Sequence, residues 1–325
     1  MTFSSGFSGA ARSGAAPLEV TLRRGCIAES QHRVHAVVCD VRGRVLMSAG
    51  HAGFETFIRS ALKPFQAIPF LSSGAAAAID ASEQGIAISC ASHSGSNRHA
   101  REAFKLLWTS ELEAAHLQCP VPSGKDSSLQ HNCSGKHAAF LATSRKMGWP
   151  LESYLQSDHP LQVEVNRRVA ELIGLPAEEL VAARDDCGAP TLHLQLAQMA
   201  LLYAHLGASQ QAELEQISRA MLAHPDLVAG DGRFDTELMR RSHGQVLSKG
   251  GAEGIQCLSR IGEGLGIAIK VEDGSRRAKQ AVALHLLRQL EWLTPLGLEE
   301  LEEDVLVLSP GVTLDVTGAL SFQKG

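Results

Sequence analysis

Ser60 and Lys63 lie three residues apart in FIRSALKPFQ, residues 57–66, a spacing that suits nucleophilic catalysis. In a helix the two side chains would project from one face, one turn apart. Pro64 is compatible with a helix that begins at Ser60, because first-turn N–H groups have no intrahelical partner. A neutral lysine amine can accept the serine proton, and the positive helix end stabilises the alkoxide. The structural alternative is an N-capping serine beside a solvated lysine.

Two further polar residues adjoin apolar runs. Ser92 follows GIAISCA, residues 85–91, which we predict to be a strand that ends in a polar turn. Lys270 ends the run GLGIAIK, and its apolar neighbours predict burial, which a lysine tolerates only with partners or a shifted pKa. The structural alternatives are a turn serine that bonds its own backbone and a lysine that protects an edge strand from aggregation.

A possible metal site is formed by HNCSGKH, residues 131–137, and DDCGAP, residues 185–190. Cys133 lies at a predicted helix start, where the helix dipole favours a thiolate, and Lys136 follows on the same face. Together with Cys187 this makes two thiolates near a nitrogen donor, a set that suits zinc with an open fourth position.

The identity of the nitrogen ligand is open at this point. Residue chemistry favours His131 or His137, because Lys136 must lose its proton before it can bind a metal. A cysteine nucleophile with His137 as its base is a non-metal alternative, and two merely buried cysteines are another.

Composition excludes several function classes. The chain has 325 residues, 44% of them hydrophobic and 20% charged, which is typical of a soluble globular protein. A net charge of -5 without a lysine- or arginine-rich run argues against nucleic acid or anionic membrane as a partner. The Gly-Asp-Gly turn of AGDGRFDTELM, residues 229–239, could form a lid over a site. It lacks the lysine and the following serine or threonine of a phosphate-binding loop, which excludes nucleotide binding.

The seven cysteines are loosely spaced, and no signal peptide precedes them. No apolar run approaches the roughly 20 residues of a membrane span. We therefore expect a reduced, cytoplasmic protein.

The order of predicted elements indicates an α+β fold. Strands dominate from Leu18 to about residue 49, with a hairpin turn at Arg42-Gly43, and return in the C-terminal third. The middle of the chain is mostly helical, over about residues 98–243. We expect a flexible tail over residues 1–17 and a single domain over 18–325. Its N- and C-terminal strands would join one antiparallel sheet around an inserted helical subdomain.

Six ordered blocks resemble the L-asparaginase II family, the rhizobial-type class: FIRSALKPFQAIPFL, SCASHSGSNRHAREAF, CSGKHAAFLA, DDCGAPTLHL, GDGRFDTELM and GLGIAIKVEDG. The resemblance runs from about Leu18 to the C-terminus. It implies a fold like that of the serine β-lactamases and Ser/Lys glutaminases, an antiparallel sheet flanked by helices, and a homodimer.

The resemblance also implies hydrolysis of L-asparagine to L-aspartate and ammonia through an acyl-enzyme. Ser60 would be the nucleophile and Lys63 its general base. Ser92 would belong to the proton relay, and Lys270 would be a second activating amine.

For the metal, the resemblance implies Zn²⁺ held by Cys133, Lys136 and Cys187, so that lysine replaces histidine as the nitrogen ligand. Arg59 and Asp185 match family positions beside the site. We assign them to the carboxylate and ammonium ends of the substrate.

Two alternatives remain. One is a penicillin-recognising Ser/Lys acyltransferase or hydrolase on the same scaffold, although such proteins typically carry S-x-N and K-[ST]-G. This chain has Ser92-His93-Ser94 and Lys270-Val271-Glu272 at the positions assigned to them. The other is a non-catalytic zinc-binding protein.

Overall fold

The computed structural model describes residues 15–306 and 308–323, so residues 1–14 of the predicted tail lie outside the described residues. The strands are β1 (Leu18–Arg24), β2 (Ile27–Asp40), β3 (Val45–Ala49), β4 (Glu55–Phe57), β5 (Val181–Arg184), β6 (Pro190–Gln195), β7 (Val246–Gly250), β8 (Ile255–Arg260), β9 (Leu265–Val271), β10 (Val312–Thr317) and β11 (Ser321–Phe322). The helices are α1 (Lys63–Gln66), α2 (Ile68–Ser72), α3 (Ala75–Ala78), α4 (Glu83–Ser89), α5 (Asn97–Thr109), α6 (Ser134–Met147), α7 (Pro160–Ile173), α8 (Leu196–Ala208), α9 (Ala212–Ala223), α10 (Pro225–Val228), α11 (Phe234–Arg241), α12 (Arg276–Gln289) and α13 (Pro295–Val305).

Strands from both ends of the chain form one antiparallel sheet, as the order of predicted elements indicates. The sheet runs β10-β1-β2-β9-β8-β7, and β3 joins β2 and β11. The long strand β2 connects the two ends, because it pairs with β1 and β3 on one edge and with β9 on the other. The β2–β3 turn lies at the predicted position, where Gly43 adopts a φ of 74° that suits glycine.

The sheet lies between two helical layers. Along β9, Ile267 and Ile269 face the cluster built with α12, whereas Ala268 faces the cluster built with α8. Helix α8 packs directly on the sheet at Gly266, where a Cβ atom would lie 2.0 Å from the carbonyl oxygen of Ala200. Side-chain alternation along the strand therefore fills both cores at once.

A second, three-stranded sheet, β4-β6-β5, lies within the helical part of the chain. In it β4 pairs with β6 through Thr56 and Leu194, and β5 pairs with β6 as a hairpin. The small sheet thus joins the segment before Ser60 to the hairpin turn that contains Cys187. The helical part begins near residue 59, earlier than the predicted 98. No helix in the described ranges is both long and apolar enough to traverse a bilayer.

The predicted strand over residues 85–91 is wrong, because most of this segment belongs to helix α4. Ser82 caps the helix by accepting a hydrogen bond from the N–H of Gly85. Residues 85–89 are all buried, among α5, α6 and α9. A short run buried on every side has no periodicity that separates helix from strand.

Candidate active site

A strained turn places Ser60 at the wall of an open cavity. Arg59, the preceding residue, has a φ of 53°, a left-handed conformation that costs a non-glycine residue about 1–3 kcal/mol. The N–H of Arg59 donates to Oγ1 of Thr191 at 3.0 Å, which helps to hold the turn. A 3₁₀ turn over Arg59–Leu62 leads into α1, where Pro64 occupies the first turn without loss of a hydrogen bond. Ser60 is half-buried and lines a cavity of about 690 Å³.

Lys63 is buried beneath this cavity, with 1% of its surface exposed. Its amine donates to the carbonyl oxygen of Ala91 at 2.7 Å and to Oγ of Ser92 at 2.8 Å. A longer contact of 3.4 Å reaches the carbonyl oxygen of Asn132. The amine is therefore desolvated and joined to the Ser92 hydroxyl, which itself lines the cavity.

A second amine, from Lys249 on β7, meets the same hydroxyl. Its Nζ lies 2.9 Å from Oγ of Ser92 and donates to the carbonyl oxygen of Gly250 at 2.8 Å. Because a hydroxyl has one proton, Ser92 can donate to only one of the two amines while it accepts from the other. The arrangement can pass a proton between Lys63 and Lys249.

The pKa of Lys249 is lowered to about 7, chiefly because the side chain is buried and secondly because the charges of Lys63 and Lys279 lie nearby. The carboxylate of Asp235 acts in the opposite direction. An amine with a pKa near neutrality can accept and return a proton at physiological pH.

The structure corrects the prediction that Lys270 is the second activating amine. The Lys270 amine donates to the carbonyl oxygens of Glu253, Val271 and Glu272, and it forms no hydrogen bond to the serines or to Lys63. The amine that shares the Ser92 hydroxyl with Lys63 is that of Lys249. The signal for it was present in the sequence, since Lys249 also ends an apolar strand, QVLSK, and two glycines follow it.

The segment AGDGRFDTELM contributes residues to the cavity wall, among them Gly232 and Asp235. Asp235 is buried and accepts hydrogen bonds from Ser248 at 2.6 Å, from Gln256 at 2.8 Å and from the N–H of Gly250 at 2.8 Å. Burial alone would raise its pKa, but the Lys249 charge and these donors lower it. A fixed carboxylate therefore stands beside the strand that carries Lys249.

The two cysteine segments come together, as the predicted metal site requires. Helix α6 begins directly after Cys133, and the β5–β6 turn presents Cys187. Nζ of Lys136 lies 3.2 Å from Sγ of Cys187. Gly135 is needed for this packing, because a Cβ there would lie 2.1 Å from the carbonyl oxygen of Ile88.

In this cluster the cysteine and lysine side chains stabilise each other's charged forms. A hydrogen bond from Cys187 and the nearby Lys63 and Lys136 ammonium groups hold the pKa of Cys133 well below its ordinary value, despite burial. Burial would lower the pKa of Lys136, but the charges of Cys187 and Cys133 raise it instead. The geometry therefore favours thiolate beside ammonium when no metal is bound.

His131 and His137, the two histidines of HNCSGKH, differ in the hydrogen bonds that their ring nitrogens form. Nδ1 of His137 lies 2.7 Å from the hydroxyl of Tyr154, and its buried Nε2 has no hydrogen-bond partner among the described residues. Nδ1 of His131 accepts the N–H of Cys133 at 3.1 Å. The described part of the chain contains no group of three His, Cys, Asp or Glu side chains that could hold a metal ion, so a site here needs the amine of Lys136 beside the two cysteines.

Arg59 and Asp185, the residues predicted to bind the two ends of the substrate, form an ion pair with each other. Nε of Arg59 donates to Oδ1 of Asp185 at 2.9 Å, and Nη2 lies 2.7 Å from Oδ2 of Asp186. Neither Arg59 nor Asp185 lines the cavity that contains Ser60. The pair ties the strained turn to the Cys187 loop, and its role at the two ends of the substrate stays a prediction.

Solved structures share this architecture at low sequence identity. A structure of the glutaminase Mglu superposes with a TM-score of 0.50 at 14% identity, covering 80% of this chain and 67% of Mglu. Across the Mglu structures the chain spans 60% to 67% of their length. A β-lactamase from Mycobacterium bovis matches with a TM-score of 0.37 at 12% identity, covering 80% of this chain and 95% of the β-lactamase. No curated protein matches the sequence.

At such identities the likeness to Mglu shows the fold alone. It confirms the predicted α+β fold, an antiparallel sheet with flanking helices. The sequence match is more specific, because the model of the family described as L-asparaginase II matches residues 20–322. This range contains the serine–lysine cluster, the cysteine cluster and the cavity wall. The chain belongs to the L-asparaginase II family.

Proposed function

We propose that this protein hydrolyses L-asparagine to L-aspartate and ammonia, with Ser60 as the nucleophile. Membership of the family supports an amidohydrolase-type function. The observation that carries the proposal is the Ser92 hydroxyl, which lies 2.8 and 2.9 Å from two buried lysine amines at the cavity that Ser60 lines. Such a proton relay beside an accessible serine suits acyl transfer.

In the first step Oγ of Ser60 attacks the side-chain amide carbon, and Lys63 takes the hydroxyl proton. The backbone N–H of Ser60, a first-turn group, would hold the oxyanion together with the N–H of Ala252, which also lines the cavity. The C–N bond then breaks, and a proton relayed through Ser92 leaves with ammonia. Water attacks the resulting aspartyl ester, which releases aspartate and restores the Ser60 hydroxyl.

The cysteine cluster fits a zinc ion. Cys133, Lys136 and Cys187 would hold it, the two thiols as thiolates and the lysine as a neutral amine. The buried Nε2 of His137 beside this cluster has no hydrogen-bond partner among the described residues, which supports a metal ion there. The ion would supply positive charge that orients substrate and tunes neighbouring groups, while Ser60 remains the nucleophile.

Replacing the nucleophile tests the reaction. Ser60→Ala is expected to reduce ammonia release from L-asparagine by at least about 10³-fold while the protein stays folded, because the covalent step is lost. A coupled ammonia assay measures the rate, and Ser72→Ala, at an exposed helix end, is the matched control. Retention of more than a small fraction of activity by Ser60→Ala would refute the assignment.

The homodimer stays a prediction from the family resemblance. Light scattering on the purified 34.7 kDa chain tests it, since a dimer doubles the measured mass.

A further inference from the structure

The cavity that Ser60 lines carries excess positive charge, although the chain has a net charge of -5. Four cationic side chains contribute to its wall: Arg233, Arg276, Arg277 and Lys279. Within the described residues none of the four forms an ion pair with a carboxylate, whereas many other arginines of the protein do.

The carboxylates in the same wall are already engaged. Asp304 pairs with Arg241, outside the cavity lining. Asp235 accepts three hydrogen bonds from neighbouring residues of β7 and β8. The charge of Asp235 still favours the ammonium of Lys279, but two carboxylates cannot neutralise four cations, so the wall attracts an anion.

The position of these cations is electrostatically unfavourable for the helix that carries them. Arg276, Arg277 and Lys279 occupy the first turn of α12, which contains no acidic residue. Cations are disfavoured at this positive end of the helix dipole. Helix α11 follows the usual arrangement, with acids in its first turn and arginines in its last. Departures from local preference of this kind concentrate at functional sites.

Lys279 is the half-buried member of the group, and its amine lies beside Gly250, the residue after Lys249, where a Cβ would approach it to 3.1 Å. Its amine makes only long contacts, to the carbonyl oxygens of Gly251 at 3.4 Å and Ile255 at 3.2 Å. An ammonium has three donors, so one remains for a ligand. Gly251 lies against the carbonyl of Ile58, where a Cβ would approach to 3.0 Å, two residues before Ser60. Burial lowers the pKa of Lys279, and a bound anion would favour its charged form.

We propose that Lys279 binds the α-carboxylate of the substrate, with the three arginines drawing the anion into the cavity. This inference rests on the proposed function and names the residue by which the site would select an amide that carries an α-carboxylate. It assigns to Lys279 the role that the sequence had suggested for Arg59. Anchoring the carboxylate at this wall would direct the amide toward Ser60.

The test compares two amides that differ only in the carboxylate. Lys279→Met is expected to lower kcat/KM for L-asparagine by about 10- to 100-fold, mostly through KM, because one charge-assisted hydrogen bond is lost. For 3-aminopropanamide, which lacks the carboxylate, the change should stay within about threefold. Lys279→Arg should restore part of the preference for L-asparagine. Lys146→Met, an exposed lysine on α6, is the control.

An equal loss on both amides would show that Lys279 merely supports the loop, and would overturn the inference. Calorimetric binding of L-aspartate and succinate, measured without turnover, separates this inference from the proposed function. If wild type releases no ammonia from L-asparagine, the proposed function fails. If wild type binds succinate and Lys279→Met does not, the anion site at Lys279 is supported whether or not the enzyme hydrolyses L-asparagine. If wild type does not bind succinate, the anion site is overturned.

Discussion

Lys249 and Lys136 are two buried lysines whose pKa values are shifted in opposite directions. Lys249 is 0% exposed and Lys136 is 2% exposed, so both lose nearly all contact with water. Burial lowers the pKa of Lys249 to about 7, whereas the pKa of Lys136 is raised. The same side chain at the same depth therefore holds its proton weakly in one cluster and tightly in the other.

The neighbours explain the difference. The charges of Lys63 and Lys279 lower the pKa of Lys249. Asp235 is the one carboxylate among the groups that shift this pKa, and its charge also acts on Lys279. Lys136 instead faces the sulfurs of Cys133 and Cys187, which stabilise an ammonium. Desolvation makes an amine sensitive to its surroundings, and the surrounding charges decide the direction of the shift.

The largest expected effect comes from removing the weakly basic amine. Lys249→Met should reduce kcat for ammonia release by about 10³-fold, because Ser92 loses one of its two proton partners. Lys270→Met is the matched control, since the Lys270 amine contacts only backbone carbonyls outside the site. Near-normal turnover by Lys249→Met, or an equal loss in Lys270→Met, would break the distinction between the two lysines.

An intermediate effect is expected at the thiol cluster. Cys187→Ser should lose zinc and raise KM for L-asparagine by about 10- to 100-fold, with a smaller change in kcat, because the cluster orients substrate and does not supply the nucleophile. Elemental analysis of the purified protein and steady-state kinetics check both parts. Equal zinc contents in wild type and variant would count against the metal assignment.

The smallest expected effect is a shift in the pH profile. Activity should fall below about pH 7 as Lys249 becomes protonated. Asp235→Asn removes the carboxylate that favours the ammonium, so the pKa of Lys249 should fall and the acid limb of kcat/KM should move about one unit lower.

Asp304→Asn is the control for this shift, because Asp304 lines the same cavity but pairs with Arg241. An acid limb that stays in place or moves to higher pH in Asp235→Asn would contradict the electrostatic account of Lys249.

Local spacing predicts that Ser60 and Lys63, and likewise Cys133 and Lys136, lie one helical turn apart. The side-chain hydrogen bonds of the two amines instead join Lys63 to Ser92 and Lys136 to Cys187, partners that are distant in the sequence. The antiparallel sheet followed from strands predicted at both ends of the chain.

Local spacing could not predict which of two similar strands supplies the lysine that contacts Ser92. Lys249 and Lys270 both end apolar strands, and only the pairing of β7, β8 and β9 decides which amine reaches Ser92. The ion pair of Arg59 with Asp185 likewise joins residues 126 positions apart. Such choices depend on long-range packing, to which a single sequence gives no direct access.

Backbone hydrogen bonds of the small sheet β4-β6-β5 connect the segment before Ser60 to the hairpin turn that contains Cys187. The two segments should therefore move together. Substitutions along these strands should leave the connection intact, except at Thr191, whose hydroxyl holds the turn at Arg59. Adding or deleting a single residue in β6 would reverse which side chains point to each face and displace both clusters together. Homologous chains should therefore vary in side chains here and keep the length constant.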